Sequence, residues 1–139
     1  MVILVFVLCL LTFRAAQEKD KWQRIYTYED SVIEMNTSRV TFGTGTIGRV
    51  RFRTVYSKSQ VTRESPKLKH KTRLETIEFK CDAKEYRLFE ASLLDSEGKA
   101  VQSYQQELPD EWKGLKSESM MGRLFGPACK LIDEKRRNP

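Results

Sequence analysis

Polar and apolar residues alternate along much of this chain, and that pattern constrains its fold more than any other feature. Residues 49–53 (RVRFR) alternate without exception, and alternation resumes over 72–80, where Ile77 and Phe79 share one face with the following Cys81. A period of two is typical of strands that bury one face, because successive side chains point to opposite sides. The three arginines of 49–53 are then expected on the opposite face, either solvated or turned towards an acidic partner.

Four other segments are predicted to be strands, namely residues 22–28, 32–35, 86–94 and 100–105. A turn at Glu29-Asp30 connects the first two. Residues 95–99 are expected to form a hairpin turn between the last two, with Gly98 in the left-handed conformation that glycine adopts without strain. Residues 57–71 show no apolar periodicity, so we predict that they form an exposed loop between strands.

The C-terminal part of the chain has a helical pattern instead. Residues 117–119 (SES) offer a capping serine, and apolar residues at helical spacing follow at Met120, Met121, Leu124 and Phe125. Because proline lacks an N–H and crowds the preceding turn, Gly126-Pro127 is expected to interrupt this helix. A further turn or two is expected to restart at Pro127 with Cys129 and Ile132, before a frayed basic tail at 135–139.

These elements together indicate one domain. The chain has 139 residues, a length that suits a single modest core. The predicted fold class is α+β, with a single antiparallel β-sheet of about five to six strands and a C-terminal helix packed on it.

The N-terminus predicts export. Residues 2–13 (VILVFVLCLLTF) are almost unbroken apolar, but a membrane span needs about 20 such residues. With the small residues Ala15-Ala16 after it, the run fits a secretory signal at 1–16, followed by a folded domain over 17–134. We therefore expect an extracytoplasmic bacterial protein in the periplasm, at the cell surface or secreted, with no integral span once the signal is removed. The alternative is a buried hydrophobic strand.

Cysteine usage agrees with export. Removal of the apolar run would take Cys9 with it and leave Cys81 and Cys129. An even pair in a small exported domain predicts one disulfide, and the alternative is two buried free thiols.

Charge is distributed unevenly. Residues 39–73 carry ten Lys or Arg and one acid, Glu64, whereas residues 74–120 carry six bases and eleven acids. A basic block of this kind attracts sulfated glycans, nucleic acid or anionic lipid. The candidate residues for binding a polyanion or another partner are Arg49, Arg51, Arg53, Lys58, Arg63, Lys67, Lys69, His70, Lys71 and Arg73. Nucleic acid is disfavoured, because export separates the protein from it and no aromatic residues are interleaved with the loop bases.

A second explanation of the strand arginines stays open. Arg51 or Arg53 could pair across the sheet with Glu75 or Glu78, which would neutralise the strand arginines and leave the loop lysines free.

Motifs for catalysis are weak. Gly43 to Val50 spells G-x-G-x-x-G-x-V, but a strand rather than a helix follows, so a turn between antiparallel strands is the better interpretation. His70 is the single histidine and lies between Lys69 and Lys71, which excludes metal sites with paired imidazoles and is a poor setting for a catalytic base. Residues 36–38 (NTS) match a glycosylation sequon but are interpreted as a surface turn. We expect no enzymatic activity, no cofactor and no metal.

Ordered landmarks along the chain resemble a known pattern. They are Trp22, Ser31-Val32-Ile33, Asn36-Thr37-Ser38, Arg49-Val50-Arg51-Phe52, Glu78-Phe79-Lys80-Cys81, Tyr86-Arg87, Gly98-Lys99, Val101, Glu111-Trp112-Lys113 and Cys129. Their order and spacing resemble the bacterial surface-adhesin protein E family, small exported domains in which the two cysteines are joined. The resemblance implies an antiparallel sheet with a helix, and exposure on or outside the cell envelope. The member that gives the family its name binds host matrix and serum proteins such as vitronectin and laminin.

Two functions are consistent with these observations. The first is a non-catalytic binding domain that presents its basic surface to an acidic macromolecule, with extracellular-matrix, host or envelope proteins or sulfated polyanions as partners. The second is a structural or assembly module of the envelope that pairs through an exposed sheet edge with itself, as a homodimer, or with a neighbouring protein.

Overall fold

A computed structural model describes residues 19–63, 65–105 and 111–139. The predicted signal segment, residues 1–16, lies outside the described residues. The elements in chain order are β1 (Trp22–Thr27), β2 (Ser31–Phe42), β3 (Gly48–Val61), β4 (Lys69–Lys80), β5 (Glu85–Leu94), β6 (Ala100–Gln105), β7 (Lys113–Gly114) and α1 (Met120–Arg137).

The strands form one antiparallel sheet in which neighbours along the chain are neighbours in space. The order is β1-β2-β3-β4-β5-β6, and the short β7 pairs with β5 at Glu85 and Tyr86. Short turns suffice for such a meander, and the predicted turn at Gly98 is present with a φ of 82°. The predicted antiparallel sheet with a C-terminal helix is confirmed.

The hydrophobic core lies between one face of the sheet and α1. The alternation in 49–53 places Val50 and Phe52 in this core, fully shielded from solvent. Ile77 and Phe79 of β4 extend the same layer, and the Phe79 ring meets the Phe125 ring of α1 edge-to-face at 5.7 Å between centroids. The period of two therefore decides which face of the sheet the helix covers.

The helix α1 is continuous from Met120 to Arg137, so the predicted interruption at Gly126-Pro127 is wrong. Its N-cap is Ser119, as the sequence indicated, and the Ser119 hydroxyl accepts a hydrogen bond from the Gly122 N–H at 3.1 Å. Pro127 removes one helical hydrogen bond, but apolar residues on both sides of it bury into the same core: Leu124, Phe125, Ala128, Leu131 and Ile132. That shared burial holds both halves of the helix in line. Lys135 to Arg137 form its last turn and are not a frayed tail.

The predicted loop over 57–71 is also mostly strand. β3 continues to Val61 and β4 begins at Lys69, so the connection is only residues 62–68. Backbone bonds hold it, since the Thr62 N–H donates to the Leu68 carbonyl at 3.0 Å. Apolar periodicity is missing because most described residues of this segment are exposed and bury no continuous face.

Residues 36–38 are not a surface turn but part of β2. Asn36 is fully buried, and its Oδ1 accepts hydrogen bonds from the Ser38 N–H, the Ser38 hydroxyl and the Arg39 N–H. The register of β2 against β3 shifts between Met35 and Val40. The Asn36 side chain therefore replaces the ladder bonds that the irregularity removes.

Cys81 and Cys129 form the predicted disulfide, with their Cα atoms 5.8 Å apart. Cys81 follows β4 and Cys129 lies on α1, and both pack against the core. The bridge thus ties the middle of the sheet to the helix that covers it.

Breaking this bridge should destabilise the domain. The two cysteines are 48 residues apart, and closing a loop of that length restricts the unfolded chain by about 4 kcal/mol. We expect reductant to lower the melting temperature by about 10 °C or more, measured by calorimetry. A Cys81→Ala, Cys129→Ala variant should melt low and ignore reductant. An equal melting temperature for the oxidised and reduced proteins would contradict the expected role.

Two glycines should respond differently to alanine. A Cβ at Gly48 would lie 2.5 Å from Ile132 Cδ1, and Ile132 is itself buried, whereas a Cβ at Gly126 would meet no atom within 4 Å outside its neighbours in the chain. Gly48→Ala should lower the free energy of unfolding by about 1–3 kcal/mol through overpacking. Gly126→Ala should change it by less than about 1 kcal/mol, because the better helix propensity of alanine is offset by crowding between its Cβ and the Cδ of Pro127. Urea denaturation measures both, and a stabilising Gly48→Ala would contradict the packing described here.

Candidate binding surface

The structure divides the ten predicted site residues into two groups. Arg49, Arg51 and Arg53 lie along β3 on the face opposite the helix, and the remainder lie in the connection 62–68 or in the strand residues around it. Arg49 and Arg53 of the first group and Arg73 of the second form ion pairs with glutamates.

The sheet arginines meet glutamates on neighbouring strands. Glu78 is only 1% exposed and pairs with two cations, Arg49 at 2.8 Å and Arg87 of β5. The Arg49 guanidinium also lies over the Phe89 ring, 4.1 Å from its centroid. Because each carboxylate oxygen of Glu78 accepts from a different arginine, the buried charge is compensated on both sides.

A second pair lies nearer the first strand. Arg53 donates to Glu34 of β2, and its guanidinium lies 4.4 Å from the centroid of the Trp22 ring. Arg51 sits opposite Thr76 and shares a shallow groove with Glu90, which accepts from the Thr76 hydroxyl at 2.8 Å. This face therefore carries its own counterions.

Ion pairs across strands were predicted from the sequence, but the predicted partners were wrong. Arg49, rather than Arg51 or Arg53, forms the ion pair with Glu78, because the register places Arg49 directly opposite Glu78. Arg53 takes Glu34, while Glu75 pairs with Arg73 at 2.8 Å. The partners Arg87, Phe89 and Trp22 were missed, since a sequence without register does not say which residues of separate strands meet.

Four residues of the second group are exposed. Lys58, Arg63, Lys67 and Lys69 are all open to solvent, and none forms an ion pair with an acid of the described chain. Lys71 is half-buried and donates from Nζ to the Ser57 carbonyl at 2.9 Å. We call residues 57–71 the basic hairpin. It carries the cations that remain available for a partner.

His70 does not belong to this exposed set. The sequence placed it in a polar loop, but it is 9% exposed in β4, where its ring meets the Tyr56 ring edge-to-face at 5.8 Å. Burial raises the pKa of the Tyr56 phenol, an effect that Arg73 opposes and that Glu75 and Asp30 reinforce. The Tyr56 hydroxyl therefore keeps its proton at ordinary pH and is able to donate a hydrogen bond.

Within the described ranges, no group of three or more His, Cys, Asp or Glu residues is arranged to hold a metal ion. The same part of the chain contains no helix that is long and apolar enough to cross a membrane.

The pairing of Glu78 should matter for stability. Glu78→Gln leaves Arg49 and Arg87 facing each other without a counterion, so we expect the free energy of unfolding to fall by about 2–3 kcal/mol, measured in urea. The matched control is Glu85→Gln, whose pair with Lys80 is partly exposed, and whose cost should stay below about 1 kcal/mol. Equal losses in the two variants would contradict a structural role for Glu78.

Comparison with known proteins supports the resemblance found in the sequence. The family model described as surface-adhesin protein E matches residues 14–130, which include β1 to β7 and the first part of α1. No curated protein and no solved structure gives a significant match. The match spans most of the chain. The chain therefore belongs to the surface-adhesin protein E family, whose members are adhesion-type surface proteins of bacteria.

Proposed function

We propose that this chain is a non-catalytic binding domain of the bacterial cell envelope that holds an acidic macromolecule through its basic hairpin. The observation that carries the proposal is the set of exposed cations on that hairpin, Lys58, Arg63, Lys67 and Lys69, which have no acidic partner among the described residues. Adhesin family membership supports a role in adhesion outside the cytoplasm.

Electrostatics favours a linear polyanion as the partner class. Exposed lysines attract a chain of sulfates or carboxylates, and binding is favoured because they release the counterions condensed on it. The sheet arginines are less suited, because a polyanion at Arg49 or Arg53 would have to compete with Glu78 or Glu34. We therefore assign binding to the basic hairpin rather than to the strand face. The expected ligands are sulfated glycans or acidic segments of matrix and host proteins.

A salt-dependent binding measurement tests this proposal. We expect the oxidised protein to be retained on immobilised heparin at low ionic strength and to elute as salt rises. The triple variant Lys58→Glu, Lys67→Glu, Lys69→Glu should elute much earlier. In solution, the slope of log affinity against log salt should fall by about one for each cation that contacted the chain.

The matched control reverses three exposed lysines elsewhere, with the substitutions Lys99→Glu, Lys116→Glu and Lys130→Glu. Both triple variants change the net charge equally, so only the position of the charges differs. Retention should survive in the control. Equal loss in both variants, or elution of the wild type in the void volume at low salt, would overturn the proposal.

A second candidate function has a structural observation of its own. β1 is the outermost strand of the sheet and pairs only with β2 within the described chain. An open edge of this kind can accept a strand from a second copy or another envelope protein. Sedimentation in high salt separates the two functions, because edge pairing persists there whereas polyanion binding weakens.

A further inference from the structure

A cavity of about 560 Å³ lies at the end of the sheet that carries the basic hairpin. Its floor includes Ala91 and Leu93 of β5, and its sides include Tyr56, His70 and Arg73 from β3 and β4. The connection between β3 and β4 forms part of the wall with Thr62, Arg63, Ser65 and Pro66. Its volume falls in the range of about 300–1,000 Å³ that is usual for small-ligand sites.

Three buried polar atoms at this cavity have no hydrogen-bond partner among the residues that the structure describes: His70 Nδ1, Arg73 Nε and Gln102 Oε1. Leaving one such atom unsatisfied costs about 1–3 kcal/mol, so most buried polar groups in proteins are paired. Among the other described residues, Asn36 Nδ2 is buried without a partner and Asp20 Oδ1 lies 3.2 Å from Arg39 Nε, and neither atom belongs to a residue of this cavity. Three in one cavity point to a partner from outside the chain.

The chemistry of the wall favours an anion. Arg73 Nε is a permanent donor, the Tyr56 hydroxyl stays protonated, and Arg63 adds a cation where the wall is exposed. No described residue that lines the cavity is acidic. The carboxylate of Glu75 binds Arg73 through Nη2 at 2.8 Å, which leaves the Nε edge of the guanidinium for another acceptor.

The remaining groups define the rest of the ligand. Gln102 Oε1 is an acceptor and needs an N–H or O–H donor. Val61, Pro66, Ala91 and Leu93 offer apolar contacts. A ligand that satisfies all of them carries a carboxylate, a hydrogen-bond donor close to it and a short apolar group.

We infer that this cavity binds a small organic acid of the acylamino-acid type, with its carboxylate on Arg73 and His70 and its N–H donor on Gln102. This site is separate from the polyanion surface, because its recognition atoms are buried whereas the lysines of the basic hairpin are exposed.

Titration with N-acetyl-L-leucine, followed by NMR, tests this inference. The chain contains one histidine, so the imidazole signals report on the cavity without ambiguity. We expect saturable shifts of the His70 signals with N-acetyl-L-leucine. N-acetyl-L-leucinamide, which lacks only the carboxylate charge, should bind at least about tenfold more weakly, because a charge-assisted bond is lost.

Two variants test where the ligand binds. A third tests whether this site is independent of the polyanion surface. Arg73→Gln should weaken binding about tenfold or more. Gln102→Met, on the outer strand β6, should weaken it without disturbing the core and serves if Arg73→Gln does not fold. The triple variant Lys58→Glu, Lys67→Glu, Lys69→Glu should keep the ligand even though it loses heparin. Absence of His70 shifts at tens of millimolar ligand, equal binding of acid and amide, or unchanged binding in Gln102→Met would overturn the inference.

Discussion

Burial of one sheet face under a single helix determines the rest of this structure. An 18-residue helix such as α1 is about 27 Å long, whereas β3 alone, with 14 residues, extends about 46 Å. The helix packs on β1 to β4 and cannot cover the whole sheet. The disulfide at Cys129 fixes where along the sheet it lies. What projects beyond the helix is the end of the β3–β4 hairpin, where both proposed sites are found.

The two faces of the sheet differ in the charges that they carry. The covered face is apolar and needs no counterions. On the opposite face, ion pairs across strands hold the arginines, and Glu78 is buried because Arg49 and Arg87 close over it. Desolvation offsets much of the attraction in pairs of this kind, so removing one partner costs more than the intact pair contributes. These ion pairs also weaken the attraction of this face for a polyanion. The positive charge of residues 39–73 that is available to a partner therefore lies mainly on the basic hairpin.

The sequence predicted those features that depend on local pattern. Alternation identified Val50, Phe52, Ile77 and Phe79 as core, and the capping role of Ser119 and the turn at Gly98 follow from one residue and its neighbours. Features that depend on distant partners were not predictable. The helix continues through Pro127 because apolar residues on both sides find the same core, and that core is made by strands far away in the chain. His70 is buried by Tyr56 across the hairpin, although its immediate neighbours Lys69 and Lys71 are polar and indicated exposure.

The candidate site shows the same division between features that follow from local pattern and features that depend on distant residues. Counting charges found the basic block, but deciding which cations are free required the register that places Arg49 opposite Glu78. The cavity could not be inferred from sequence at all, because Gln102 and Arg73 lie on strands that are not neighbours in the sheet. The connection 62–68 takes part in both proposed sites: Arg63 and Pro66 line the cavity, while Lys67 points its charge to solvent. If both proposed sites are occupied, any effect of one ligand on the affinity for the other is reciprocal by linkage.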